Sequence, residues 1–130
     1  MTIRCPILPI VLKGKRTLDY IGLLDSGADV SAIDMSVAEI LDLDLSGESD
    51  KSEGIGGMVE TIESSVNLHF SGSHERFAFR IPVLVMDTDP DLGMMLLGRE
   101  GFFDKFVACF DDFNQKFTLK RNDQKRGRRG

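Results

Sequence analysis

Short apolar stretches alternate along the chain with polar, glycine-bearing connections, and no long helical stripe interrupts that rhythm. Ile7 to Leu12 and Leu18 to Leu24 are apolar runs separated by Lys13-Gly14-Lys15-Arg16, the pattern of two strands joined by a turn. The next segment places Met35, Ala38 and Leu41 at helical spacing, and Asp34 or Ser36 stands where a cap belongs, so a short helix is expected there. Leu45 to Gly57 is rich in Ser, Glu, Asp and Gly. Strand-like patterning then returns in Met58 to Ile62, Val66 to Phe70 and Phe77 to Val85, with Gly72-Ser73-His74-Glu75 as the hairpin tip between the last two. Asp87 to Gly93 reads as an acidic loop and Met94 to Leu97 as a further strand. Gly98-Arg99-Glu100 opens a segment that predicts a second short helix through Phe106, and Val107 to Phe110 with Lys116 to Leu119 predicts a final hairpin. The expected class is all-β with one or two short helices and no tandem repeat. One internal echo stands out: Leu23-Leu24-Asp25-Ser26-Gly27 and Leu96-Leu97-Gly98-Arg99-Glu100 are each an apolar strand end followed by a glycine turn.

With 130 residues, 42% of them hydrophobic, the chain has material for one compact domain. That domain is expected over residues 1–119, followed by a basic, solvated and disordered tail over 120–130. The tail carries Lys120, Arg121, Lys125, Arg126, Arg128 and Arg129 against Asp123, a charge of +5, so a total of −5 leaves the rest near −10. An acidic body argues against a nucleic-acid surface. No apolar run reaches the roughly 18 residues of a membrane span, and the run from Ile7 to Leu12 is short and broken by Pro9, so neither a membrane segment nor a signal peptide is expected. Cys5 and Cys109 lie far apart and outside any metal-binding spacing, which points to a reduced, cytoplasmic protein without a metal.

Asp25-Ser26-Gly27, entered through Leu23-Leu24 and followed by Ala28, puts a carboxylate in apolar company. The hydroxyl can lock the turn, and the glycine lets another backbone approach closely. Other chemistries fit poorly. Asp87 to Gly93 alternates carboxylates, but a calcium loop needs glycine at its sixth position and glutamate at its twelfth, where Leu92 and Gly98 stand. Gly54-Ile55-Gly56-Gly57 has no following Lys-Ser/Thr for phosphate. Ser26 has no nucleophile elbow, and His69 and His74 read as surface residues.

These motifs, taken in order, resemble the retropepsin family, the retroviral-type aspartic proteases. Leu23-Leu24-Asp25-Ser26-Gly27-Ala28-Asp29 resembles the catalytic loop, and Glu53-Gly54-Ile55-Gly56-Gly57-Met58-Val59 the glycine-rich flap. Pro82-Val83-Leu84-Val85 resembles the strand before a substrate-lining loop, and Met95-Leu96-Leu97-Gly98-Arg99-Glu100 the motif that opens the C-terminal helix.

The resemblance implies a closed, barrel-like acid-protease fold with one lobe per chain. It also implies an aspartic endopeptidase that needs no cofactor. Two carboxylates must share a proton, and the echo motif has Gly98 where an acid would stand, so the second Asp25 must come from a second chain in a homodimer. Asp25, Ser26 and Gly27 form the implied catalytic set. Leu23, Ala28, Asp29, Gly54, Ile55, Gly56, Gly57 and Pro90 would bind an extended protein or peptide substrate, with Ile55 over the scissile bond. Asp29 would pair with Arg99 beside Gly98 to support the loop. The acidic loop suggests tolerance for basic residues flanking an apolar cleavage site. The ends differ from the compact retroviral pattern, because the N-terminal strand and basic tail do not supply clearly interleaved terminal strands. The alternative is a catalytically inactive dimeric peptide-binding or assembly module on the same fold.

Overall fold

The computed structural model describes residues 2–3, 6–54, 57–72, 74–111, 113–114 and 116–122. The strands are β1 (Thr2–Ile3), β2 (Ile7–Lys13), β3 (Thr17–Leu24), β4 (Ser31–Asp34), β5 (Ser49–Gly54), β6 (Gly57–Ser71), β7 (Arg76–Met86), β8 (Met95–Leu97), β9 (Phe106–Asp111) and β10 (Lys116–Arg121). The helix α1 (Met35–Leu41) follows β4 directly. Six strands close on themselves in the order β2-β3-β8-β4-β7-β6, because β2 pairs with β6 as well as with β3, and β5 hangs on the outer edge of β6. The chain is all-β as its patterning predicts, and the barrel is closed as the resemblance implies.

Side-chain alternation explains the closure. On β2, Leu8, Ile10 and Leu12 are buried while their neighbours face outward, and β7 does the same with Phe77, Ile81, Val83 and Val85. From α1, Val37, Ala38 and Leu41 join that core. Phe70, Phe77, Phe79, Phe102 and Phe106 form an aromatic cluster, with ring centroids 4.8 Å apart for Phe70 and Phe77 and 5.1 Å apart for Phe102 and Phe106. β4 is buried along its whole length because it lies between β7 and β8.

Where the structure departs from expectation, local chemistry gives the reason. Met58 to Ile62 and Val66 to Phe70 belong to one continuous strand, since β7 pairs with β6 without a break from Thr61 to Ser71. The polar residues between those runs mark the passage from the β5–β6 hairpin into the barrel wall. The expected second helix is a single 3-10 turn, Phe103–Lys105. Gly101 sits at φ +86, which cannot propagate a right-handed helix, and a Cβ there would fall 2.7 Å from Pro82. Asp34 occupies the helix N-cap position but makes no side-chain capping bond, because its carboxylate is engaged elsewhere.

A second, three-stranded sheet, β1-β10-β9, brings Thr2–Ile3 onto Phe117 and Thr118 of the same chain. β10 takes in Lys120 and Arg121, the first two residues of the stretch read as tail. Cys5 and residues 123–130 lie outside the described residues. Cys109 is an exposed free thiol, and no helix among the described residues is long and apolar enough to cross a membrane.

Candidate active site

The echo between the two Leu-Leu motifs becomes a physical adjacency. β3 and β8 lie parallel, with Leu23 opposite Leu96 and Leu24 opposite Leu97. Where β3 ends, the Asp25 amide donates to the Leu97 carbonyl at 3.0 Å, and the Ala28 amide turns back to the Asp25 carbonyl at 3.1 Å. The Gly27 amide donates to Asp25 Oδ1 at 3.1 Å. The carboxylate is thus oriented by its own turn. It is half-buried in a single chain, with Ser26 and Gly27 exposed beside it and Leu23 and Ala28 half-buried.

The segment after β8 clamps this turn from below. The Arg99 amide donates to the Ala28 carbonyl and the Glu100 amide to the Asp29 carbonyl, both at 2.9 Å. The Gly98 amide donates to Ser31 Oγ at 3.0 Å, and Ser31 is fully buried. Gly98 is required by close approach: a Cβ there would lie 2.4 Å from the Val30 carbonyl oxygen. Outside, Arg99 forms an ion pair with Asp29, both side chains well exposed.

The remaining expected residues lie on two other elements. Gly54 and Gly57 face each other as the last described pair of the β5–β6 hairpin, while Ile55 and Gly56 lie outside the described residues. Pro90 is exposed in the loop between β7 and β8. Among the described residues no hydrogen bond joins that hairpin or Pro90 to Asp25.

Ser31 and Tyr20 were not singled out in the sequence, and Asp34 was read there only as a candidate helix cap. Ser31 and Asp34 are the polar residues of the wholly buried β4, where each needs a partner; the sequence offered only their places on either side of Ala32-Ile33 as a signal. Asp34 Oδ1 accepts from the Leu92 amide at 2.7 Å and Oδ2 from the Gly93 amide at 2.9 Å. Tyr20 lies against it. Burial chiefly, then the negative charges of Asp34 and Asp91, and a hydrogen bond to Asp34 push the Tyr20 phenol above its ordinary value of 10.0. His69 is half-buried and His74 exposed, and no cluster of metal-ligating side chains occurs among the described residues.

The chemical content of the site is one oriented carboxylate at the end of two parallel strands. The equivalent place on the second strand holds Gly98, which brings no titratable group.

A family model described as aspartyl protease matches residues 9–100. No curated protein sequence matches significantly. Among solved structures, a retropepsin-like aspartic protease from Rickettsia conorii superposes with a TM-score of 0.62 at 16% identity, covering 90% of this chain and 95% of that one. EIAV protease in complex with the inhibitor HBY-793 aligns at 23% identity and TM-score 0.45, over 73% of this chain and 82% of that one. The retroviral protease-like domain of Ddi1 from Leishmania major aligns at 15% identity and TM-score 0.49, over 87% of each. The barrel with its single helix is the retropepsin-like fold.

Proposed function

The chain belongs to the aspartyl protease family, and on that premise we propose that it is an endopeptidase whose active form is a homodimer with one Asp25 from each copy. The observation that carries this reading is the parallel pair β3 and β8, which ends in one carboxylate and one glycine. A single carboxylate cannot act as base and acid at once. A two-fold axis beside the exposed Ser26-Gly27 turn would bring two identical carboxylates together, and like charges at that distance hold one proton between them.

In the reaction, the ionised Asp25 takes a proton from water while the oxygen attacks the peptide carbonyl carbon. The protonated partner gives its proton to the carbonyl oxygen, forming a tetrahedral diol. Return of a proton to the amide nitrogen and loss of the other through the dyad break the C–N bond, releasing an amine and a carboxylic acid. The pair titrates as one coupled unit. Ser26 hydrogen-bonds between the two loops, and Gly27 with the Asp29 backbone binds the substrate as an added strand, beside Leu23 and Ala28. Gly54, Ile55, Gly56 and Gly57 form a flap over it, and Pro90 borders the groove from the acidic loop. No cofactor or metal enters these steps.

The test is digestion of a broad peptide library with mass-spectrometric readout, comparing the wild type with Asp25→Asn. Cleavage by the wild type, reduced by at least about 10³-fold in the variant at unchanged fold and oligomeric state, is expected. Equal inactivity of both proteins on the library would overturn the enzyme reading.

A further inference from the structure

A buried carboxylate that the peptide-cleaving steps do not use fastens the loop leading into β8. Asp34 is 1% exposed at the end of β4. Its two oxygens are divided between two successive loop amides, Leu92 at 2.7 Å and Gly93 at 2.9 Å. Ser36 Oγ, two residues further on, donates to Asp91 Oδ2 at 2.9 Å. Residues 91, 92 and 93 are therefore all bonded to the junction of β4 and α1. At the other end of the loop, the Asp87 amide donates to the Glu60 carbonyl on β6 at 3.3 Å. Thr88, Asp89 and Pro90 span the gap between these two anchors.

A charged acceptor suits this place. Backbone N–H groups bonded to an ionised oxygen make stronger bonds than those to a neutral one, and burial removes the competing water. The carboxylate offers an acceptor to each amide. A side-chain amide of the same shape would have to present a donor to one of them. Asp25, by contrast, is held through hydrogen bonds with Leu97, Gly27 and Ala28, and among the described residues none of these is hydrogen-bonded to Asp34.

We propose that Asp34 is a positioning residue: it fixes residues 91–93 so that the loop from Asp87 to Gly93 meets a bound peptide, and so sets peptide affinity while leaving the chemistry at Asp25 unchanged. The inference rests on the peptide-groove reading given under Proposed function.

Asp34→Asn in the full chain tests it. Amide hydrogen exchange at Leu92 and Gly93 is expected to quicken about tenfold or more while core amides of β6 and β7 keep their rates. For a peptide identified in the library digest, KM rises about tenfold and kcat stays within about threefold, because the lost interaction acts on binding. Should Asp34→Asn fail to fold, Ser36→Ala removes the adjacent bond from an exposed residue and is expected to raise KM about threefold. Unchanged exchange at Leu92 and Gly93, a fall in kcat at constant KM, or an unchanged KM in Ser36→Ala when it stands in for Asp34→Asn overturns the proposal. If the wild type cleaves no peptide, the protease reading falls separately. Titration with a statine-containing peptide inhibitor, together with the exchange rates, then decides whether peptide affinity depends on Asp34.

Discussion

Leu24 and Leu97 stand opposite each other at the ends of two parallel strands, and only Leu24 is followed by a carboxylate. On the proposed homodimer reading, a site made from one copy is half-equipped and activity depends on assembly. Wild-type and Asp25→Asn chains mixed in equal amounts and left to exchange are expected to show about one quarter of the activity of wild type at the same total concentration, because hybrids carry one carboxylate. Independent monomers would give about one half. Activity measured against mixing ratio separates the two.

Two supports of the Asp25 turn differ in weight. The Arg99–Asp29 pair has side chains 60% and 80% exposed, so water screens it and Arg99→Ala is expected to cost less than about 1 kcal/mol. Ser31→Ala strips the partner from the Gly98 amide in a buried place and is expected to cost about 1–3 kcal/mol. Urea unfolding of both variants checks the order, with Ser31→Ala the less stable.

Gly98→Ala addresses the same clamp by steric means. Its methyl group would lie 2.4 Å from the Val30 carbonyl oxygen and 2.5 Å from the Val30 carbonyl carbon, so the backbone beside the Asp25 turn must move. A loss of about 1–3 kcal/mol is expected from overpacking, with kcat falling because the carboxylate is displaced. Unfolding midpoints and single-turnover cleavage measure the two effects.

Tyr20 gives a spectroscopic report on Asp34. It is the single tyrosine and there is no tryptophan, so phenolate absorbance follows one group. Burial first, then the charges of Asp34 and Asp91, raise its titration above 10.0, and Asp34→Asn is expected to lower it toward that value without reaching it, since the burial remains. A raised value means the folded protein keeps this proton longer than the unfolded chain does. The associated stability is complete below pH 10.0 and is lost as pH rises through the folded-state value. In Asp34→Asn that loss starts at the same pH but is smaller and is complete at a lower pH, which an alkaline unfolding series detects.

Much of this protein is determined locally, by residues within a few positions of one another. Leu8, Ile10 and Leu12 alternate inward on one strand, Lys13-Gly14-Lys15-Arg16 can only turn, and Asp25-Ser26-Gly27 follows its apolar strand wherever that strand sits. Those patterns were legible in the chain because side-chain period and turn chemistry act over short range. The family motifs were legible for the same reason, and the echo of Leu23-Leu24 in Leu96-Leu97 was visible as a likeness of sequence. Only the tertiary structure made that echo a contact, by laying β8 parallel to β3 across the intervening residues 25–94. It also decided that Gly101 stops a helix the residue pattern favoured, and that Ser31 and Asp34 turn inward to bond Gly98, Leu92 and Gly93. A buried polar side chain is satisfied by whichever backbone amides the fold carries to it. The identity of those amides is a property of the closed barrel, which no local stretch contains.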